Sequence, residues 1–318
     1  MNIEMIFSRQ GAVSNKLGYS TQIVRLKTAA SRYEAAMSLL QLFIIATLQG
    51  FTEWLPISSS AHVLLASGYF GLEGRDELLI NAVSNLGTLA AMLLYFRKDV
   101  ASAVLGGFEL AAAPVTRKPL SPGARLALCI LVATPFALLV AALYDKLLPP
   151  SMQDALRSVY TVAGATIVFG ALLWWADARG ARNRTEADMT VGHAILIGAT
   201  QAIAAIIPGT SRSGITMTAA RALGYERAEA ARFSMLIGAP ILAAAGLYGA
   251  LGLMDAPDGG LVTLQDGLIV AGVAFITGLA SIAALMAILR RMSFLPFVIY
   301  RFALGIALIL TTPALGLF

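Results

Sequence analysis

Charged side chains are scarce in this sequence. Only 13% of its 318 residues are Asp, Glu, Lys or Arg, whereas 58% are hydrophobic, and the mean hydropathy is +0.77. A soluble domain carries about 25% charged residues, so a single water-soluble core is excluded. Several runs of about 20 apolar residues are typical of membrane-spanning helices, and the alternating pattern of a membrane β-barrel is absent. We therefore expect an all-α polytopic membrane protein.

Cysteine is almost missing as well. The one cysteine, Cys129, lies in an apolar run, which excludes an internal disulfide and a cysteine-based metal site and predicts a small buried residue. The net charge of +5 comes from basic residues scattered between apolar runs, without interleaved aromatics. This pattern favours basic loops against an anionic leaflet over nucleic-acid binding.

The first 36 residues differ from the rest of the chain. They contain five Lys or Arg and no long apolar run, and the apolar pattern begins at Met37. Our hypothesis is that residues 1–36 are a basic extension outside the fold, or that Met37 is the functional start.

Six apolar runs predict membrane spans, and two further runs are interrupted. The predicted spans are 78–96, 124–144, 157–176, 230–253, 267–289 and 296–318. Residues 37–72 are broken by Pro56 and the serines at 58–60, and residues 191–223 are broken by "PGTSRSG" at 208–214. Because lipid offers no partner for backbone N–H and C=O groups, such breaks are expected to line a cavity enclosed by protein.

The two broken runs resemble each other, which predicts an internal repeat. With Gln49 aligned on Gln201, Pro56 falls on Pro208 and Ser59 on Ser211. The distribution of Lys and Arg then gives the two halves opposite orientations, with the basic loops inside. We therefore expect six transmembrane helices plus two re-entrant helical hairpins in an inverted-topology repeat. The first repeat is 37–176, with its hairpin 37–72 entering from outside, and the second is 191–318, with its hairpin 191–223 entering from inside.

The first broken run contains groups suited to proton transfer. Gln49 and Glu53 are four residues apart and share a helix face, and an ionisable side chain at membrane depth usually faces a cavity or a partner. Alternatively, Glu53 caps a helix or forms a structural ion pair, and Gln49 makes an interhelical hydrogen bond. Helix capping explains one of the serines at 58–60 and leaves the others, with His62, as candidates for the site.

The second broken run, "PGTSRSGIT" at 208–216, is typical of an anion site. Pro208 and Gly209 predict a turn, and the helix that follows begins with free N–H groups, which bind anions. Arg212 has a guanidinium suited to phosphate or carboxylate, so it needs Glu53 or a ligand as its partner. Thr216 lies one helical turn further on the same face. If the two breaks meet, the combined residues suit phosphoryl transfer, and Mg²⁺ would bind through one carboxylate and substrate phosphates.

Two long motifs resemble those of a known family. "LQGFTEWLPISSSAH" at 48–62 resembles the (E/Q)xxxE-x-LP-x-SS motif of the bacterial undecaprenyl-diphosphatases of the bacitracin-resistance type, and "PGTSRSGIT" resembles their PGxSRSGxT motif. "LGTLAAMLLYFRKD" at 86–99 and "YRFALG" at 300–305 are also similar. The likeness extends from about Met37 to the end of the chain.

The resemblance implies an inner-membrane phosphatase that converts undecaprenyl diphosphate to undecaprenyl phosphate, with a divalent cation (Mg²⁺ or Ca²⁺) and a site open to the periplasm. It implies a polyprenyl diphosphate lipid and membrane lipid as partners, a homodimer as one oligomeric state, and no nucleic acid. The implied catalytic residues are Glu53, Ser59, His62 and Arg212, with Glu53 also the candidate metal ligand. The implied substrate-binding residues are Gln49, Ser58, Gly209, Ser211, Ser213 and Thr216.

Some positions depart from the family pattern, and other functions compete. Gln49 is the amide form of its motif position, Ala61 stands where Gly is usual, and Asn85 where His or Gln is usual. A transporter or flippase of a polyprenyl phosphate would share the repeat architecture and need no attacking group. A phosphatase of the phosphatidic-acid type would need a later histidine than His193, and the sequence has none. The attacking group, whether Ser59, His62 or a water, stays open.

Overall fold

The computed structural model describes residues 39–70, 74–116, 119–255 and 262–315, and this part of the chain is helical, with an isolated bridge between Arg184 and Tyr225. The predicted basic extension 1–36 and the last three residues of the predicted span 296–318 lie outside the described residues. Cys129 is free and buried, as predicted.

The helices of the described chain fall into two groups. The first group comprises α1 (Leu39–Trp54), α2 (Ser59–Phe70), α3 (Gly74–Tyr95), α4 (Arg97–Thr116), α5 (Pro122–Ala133), α6 (Pro135–Leu147), α7 (Pro150–Arg157) and α8 (Val159–Arg179). After a short 3₁₀ turn, Glu186–Asp188, the second group comprises α9 (Val191–Ala199), α10 (Gln201–Ile206), α11 (Arg212–Ala222), α12 (Arg227–Asp255), α13 (Leu264–Leu289) and α14 (Leu295–Leu315).

Five stretches of helix are long and apolar enough to cross a membrane. They are Asp76–Tyr95, Pro122–Tyr144, Val159–Arg179, Arg227–Leu251 and Leu264–Leu289, and they confirm five of the six predicted spans. The sixth prediction falls on α14, whose apolar stretch Leu295–Thr311 is shorter. Large apolar side chains on these helices remain exposed, for example Leu131 and Leu268, as expected for a lipid-facing surface. The protein is therefore a multi-pass membrane protein.

The segment between Lys98 and Arg125, which contains no predicted span, is mostly the helix α4. This helix packs against α5 at two glycines. A Cβ atom on Gly106 would lie 2.1 Å from the backbone of Gly123. Glu109 accepts hydrogen bonds from the backbone N–H and the hydroxyl of Ser121, and these bonds lower the pKa of its carboxyl group. The glycines that make close packing possible also weaken the helical signal in the sequence.

In each of the two broken runs, the start of the run lies close to its end. In the second run, Nδ1 of His193, near the start, lies 2.7 Å from the hydroxyl of Tyr225, just after the end. In the first run, Leu42 near the start and Ala66 near the end share one buried cluster with Leu79 at the start of α3. Each run therefore folds back, so that its end lies near its start.

The two runs meet at their breaks. We call residues 55–58 the first tip and residues 207–211 the second tip. Ser213, the second residue of α11, donates its hydroxyl to the carbonyl of Leu55 in the first tip, at 2.9 Å. Ser58 and Ser211 each directly precede a helix and have positive φ angles of 73° and 69°. By backbone conformation, Ser58 therefore corresponds to Ser211. The sequence alignment placed Ser59 on Ser211 instead, and the difference of one residue arises because the second tip is one residue longer.

Candidate active site

An ion pair joins the two broken runs. Nη2 of Arg212, the first residue of α11, lies 3.0 Å from Oε1 of Glu53 near the end of α1, and only 13% and 10% of the two side chains are exposed. The guanidinium therefore has the anionic partner that its depth in the protein requires. Two of the four predicted catalytic residues are thus in direct contact.

The second oxygen of the Glu53 carboxylate is also engaged. Ser59 donates its hydroxyl to Oε2 at 2.6 Å, and Nε2 of Gln49 donates to the same oxygen at 3.1 Å. The Gln49 amide also donates to Oδ1 of Asn85 at 2.8 Å, which brings in a residue that the sequence marked only as a departure from the family pattern. A hydroxyl held this close to a carboxylate has the geometry of a nucleophile beside its base.

The Arg212 side chain is packed on several sides. Its guanidinium carbon lies 5.1 Å from the centre of the Trp54 ring, a cation–π distance. On α12, a Cβ atom at Gly238 would lie 1.7 Å from Nη1 of Arg212, so only glycine leaves room for the guanidinium there. Trp54 and Gly238 therefore hold the fork of donors in one place.

The hydroxyl groups of the second run that are predicted to bind substrate mainly form hydrogen bonds within the protein, which cap a helix or connect it to other segments. Ser211 caps α11 by accepting from the N–H of Gly214 at 3.1 Å, and Ser213 reaches the first tip as described. Thr216 is fully buried, and its hydroxyl lies 2.6 Å from that of Ser234 on α12. Contacts of these three hydroxyls with a substrate stay predictions.

Gly209 has a backbone role in the second tip. Its φ angle is +88°, and a Cβ atom there would lie 2.4 Å from the carbonyl oxygen of Val162 on α8. Side chains other than hydrogen are therefore excluded by both conformation and space. The hydroxyl of the next residue, Thr210, is buried and has no hydrogen-bond partner.

Arg301 on α14 binds both tips, and sequence reasoning missed it. It is fully buried. Nη1 donates to the carbonyl of Pro56 at 3.2 Å, and Nη2 donates to the carbonyls of Gly209 and Thr210 at 3.0 and 3.1 Å. Nε donates to the carbonyl of Thr166 on α8 at 2.9 Å. An arginine inside the predicted span 296–318 was the available signal, since intramembrane charges usually mark a site.

His62, predicted to be catalytic, is bound at both ring nitrogens. Nδ1 lies 2.7 Å from the carbonyl oxygen of Ser58, and Nε2 lies 2.6 Å from the hydroxyl of Tyr300. The two rings are stacked, with centroids 5.7 Å apart. A carbonyl oxygen only accepts hydrogen bonds, so Nδ1 carries a hydrogen. Tyr300 was also missed from the sequence, and it directly precedes Arg301.

The donor atoms of the site offer little to a metal ion by themselves. Among the residues that the structure describes, no group of three or more His, Cys, Asp or Glu is arranged to hold a metal. Both oxygens of Glu53 already accept hydrogen bonds. The site therefore fits a cation only if most of its ligands arrive with a substrate.

These features define a class of protein before they define a family: helical membrane proteins with an enclosed polar site where broken helices meet. The family described as Bacitracin resistance protein BacA matches residues 42–307. That stretch is most of the chain, and the protein belongs to this family.

Curated relatives agree with that assignment. The chain is 72% identical over 278 residues to a protein of Hyphomonas neptunium named undecaprenyl-diphosphatase, covering 87% of this chain and 98% of the relative. Proteins of the same name from Maricaulis maris and Ruegeria pomeroyi are 46% and 43% identical, and each match covers 86% of this chain and 98% of the relative.

Proposed function

We propose that this protein is an undecaprenyl-diphosphatase. It hydrolyses undecaprenyl diphosphate to undecaprenyl phosphate and inorganic phosphate, recycles the lipid carrier for cell-wall synthesis and thereby confers bacitracin resistance. One observation carries the proposal: Glu53 and Arg212 form an ion pair where the two tips meet, with the Ser59 hydroxyl on the carboxylate. The relatives named above support the choice of substrate.

The proposed chemistry divides between the two broken runs. Arg212 and the first N–H groups of α11 hold the phosphate oxygens, because a fixed guanidinium and a helix N-terminus stabilise the charge of a transferring phosphoryl group. When the substrate binds, Glu53 gives up its contact with Arg212 for one with the substrate. It then accepts the proton of the attacking group. That group is the hydroxyl of Ser59 or a water bound in its place.

We also propose that a divalent cation, Mg²⁺ or Ca²⁺, takes part. Glu53 would be its carboxylate ligand and the diphosphate would supply most other ligands, in the way Mg²⁺ often binds nucleotide substrates. The cation would neutralise phosphate charge. Because both oxygens of Glu53 already accept hydrogen bonds, we expect the ion to enter the site already bound to the diphosphate of the lipid.

For topology we propose six transmembrane helices and two re-entrant hairpins in an inverted repeat, in the bacterial inner membrane. Support comes from the way each run folds back near its own start, and from crossed packing: α1 packs on α13, whereas α9 packs on α5. Asp177 binds Arg221 and Arg227 at the ends of three helices, and this arginine-rich face is the proposed cytoplasmic side. The catalytic site would then open to the periplasm through the first run.

A flippase of polyprenyl phosphate is the second candidate, favoured by the same crossed packing. The decisive experiment measures inorganic phosphate released from undecaprenyl diphosphate by purified protein, with and without a chelator. We expect release that stops with the chelator and returns with Mg²⁺ or Ca²⁺, and that falls strongly in Ser59→Ala and His62→Ala. Lipid movement across vesicles without phosphate release would favour the flippase.

A further inference from the structure

The contacts of His62 are arranged as a chain of three groups. The Ser58 carbonyl accepts from Nδ1, and Nε2 meets the Tyr300 hydroxyl. The first group therefore fixes the tautomer, because Nδ1 must carry its hydrogen. In the neutral imidazole, Nε2 is an acceptor, and the Tyr300 hydroxyl donates to it.

Burial adds a second constraint. His62 is only 8% exposed, whereas Tyr300 is 42% exposed. The one ring nitrogen of His62 that is free to exchange a proton is thus covered by a phenol that is itself partly exposed. A proton that leaves or enters His62 at Nε2 passes through the Tyr300 oxygen.

The backbone of Tyr300 is held firmly in register with the site. The next residue, Arg301, binds the carbonyl of Pro56 in the first tip and those of Gly209 and Thr210 in the second. The first tip ends at Ser58 and leads directly into α2, which carries His62. Tyr300 and His62 are therefore positioned by the same anchor that sets the distance between the tips.

We propose that Tyr300 is a further residue of the reaction, the outer member of a Ser58 carbonyl–His62–Tyr300 proton relay that serves the phosphate groups of the substrate. This inference rests on the proposed phosphatase function. When His62 is protonated, Nε2–H donates to the Tyr300 oxygen, and the hydrogen of Tyr300 turns outward towards a phosphate oxygen.

The relay balances as follows. The attacking O–H group gives its proton to Glu53 and forms a bond to the terminal phosphorus. The bond from that phosphorus to the bridging oxygen breaks, and its electron pair stays on the bridging oxygen of undecaprenyl phosphate. Tyr300 gives its proton to that oxygen and takes one from Nε2 of His62, which becomes neutral. If Ser59 is the attacking group, a water then forms a bond to the phosphorus, the bond to the Ser59 oxygen breaks, and that oxygen takes a proton from the water. Solvent carries the proton of Glu53 away and returns one to His62.

The test is Tyr300→Phe, which keeps the stacked ring and removes only the hydroxyl. We expect kcat to fall about 100-fold, a typical loss for acid–base catalysis, while KM changes less than about twofold. The matched control is Tyr160→Phe, which alters an exposed tyrosine of α8 and should leave turnover unchanged. Thermal unfolding of each variant checks the fold.

A double-mutant cycle separates a relay from a structural effect. In a His62→Asn background, Tyr300→Phe should cost less than about twofold, because residues that act as one unit are strongly non-additive. The relay is overturned if Tyr300→Phe alone keeps turnover within about twofold of wild type, or if its cost is undiminished beside His62→Asn. Wild-type protein that released no phosphate would instead overturn the proposed function.

Discussion

The two tips use one backbone device for two kinds of chemistry. Ser58 and Ser211 share a positive φ angle and each precedes a helix. After Ser58 come a hydroxyl that binds Glu53 and a histidine that binds Tyr300. After Ser211 comes Arg212, and the second tip also contains Gly209 at a positive φ angle. In the proposed mechanism the first broken run moves protons and the second holds an anion, so two segments that share a backbone conformation would differ in their chemistry.

The largest expected effect is on the anion-holding side. Arg212→Ala should lower kcat/KM about 1,000-fold or more, because the guanidinium stabilises charge at the transferring phosphoryl group. Arg212→Lys should recover little of it, since a point charge does not replace the fork. Phosphate release measures both. Arg290→Ala, at an exposed arginine after α13, is the control, and wild-type turnover in Arg212→Ala would remove the second tip from the site.

On the proton-moving side, Glu53→Gln should lower kcat about 100-fold. The amide is the same size and still accepts from Ser59, but it takes no proton at neutral pH. Because the phosphate-holding groups remain, KM should rise far less than in Arg212→Ala. Glu229→Gln removes one of three carboxylates around Arg232 on another face and serves as the control. If Glu53→Gln and Arg212→Ala raised KM equally, the proposed separation of proton transfer from anion binding would be contradicted.

Sequence patterns predicted much of this arrangement for a physical reason. Five spans followed from long apolar runs, and the two breaks followed from proline, serine and glycine at depths where lipid tolerates no unpaired backbone. Glu53 and Arg212 stood out because charges are costly there. Their contact needed only that the two breaks meet.

The remainder of the site depends on contacts between distant segments. Arg301 and Tyr300 lie 245 and 238 residues from their partners Pro56 and His62, and nothing local indicates which carbonyl or ring nitrogen they reach. The pairing of Ser58 with Ser211 was missed because matching residue types hid a one-residue difference in tip length. Helix α4 was missed because Gly106 and Gly107 are poor helix formers, and close packing on α5 decides the outcome.

Variants of Arg301 test whether the two tips depend on one shared hydrogen-bond donor. Arg301→Met leaves the carbonyls of Pro56, Gly209 and Thr210 without their donor, so we expect the free energy of unfolding to fall by about 3 kcal/mol and turnover to fall at least tenfold. Arg301→Lys keeps the charge and fewer of the bonds, and should be intermediate. Thermal unfolding and phosphate release follow the two effects. Unchanged stability in Arg301→Met would mean that each tip is held by its own run.

The second tip alone requires glycine. Gly209→Ala should destabilise the protein by about 2 kcal/mol, because alanine at this positive φ is strained and its Cβ would meet the Val162 carbonyl oxygen at 2.4 Å. Gly272→Ala is the matched control, since a Cβ there meets nothing within 4 Å and alanine favours the helix α13. Equal melting temperatures for the two variants would contradict the tight packing of the second tip on α8.

The smallest effects test the shared backbone of the tips. At Ser58 and at Ser211 alike, the glycine variant should be more stable than the alanine variant by about 1 kcal/mol, because glycine adopts the positive φ angle without strain and both replacements lose the serine hydroxyl. Chemical denaturation of the four variants in detergent measures the two differences. Since each difference is taken at one position, the lost hydrogen bonds cancel and only the backbone preference remains. A glycine advantage at one serine but not at the other would show that the tips share a sequence resemblance without sharing a conformation.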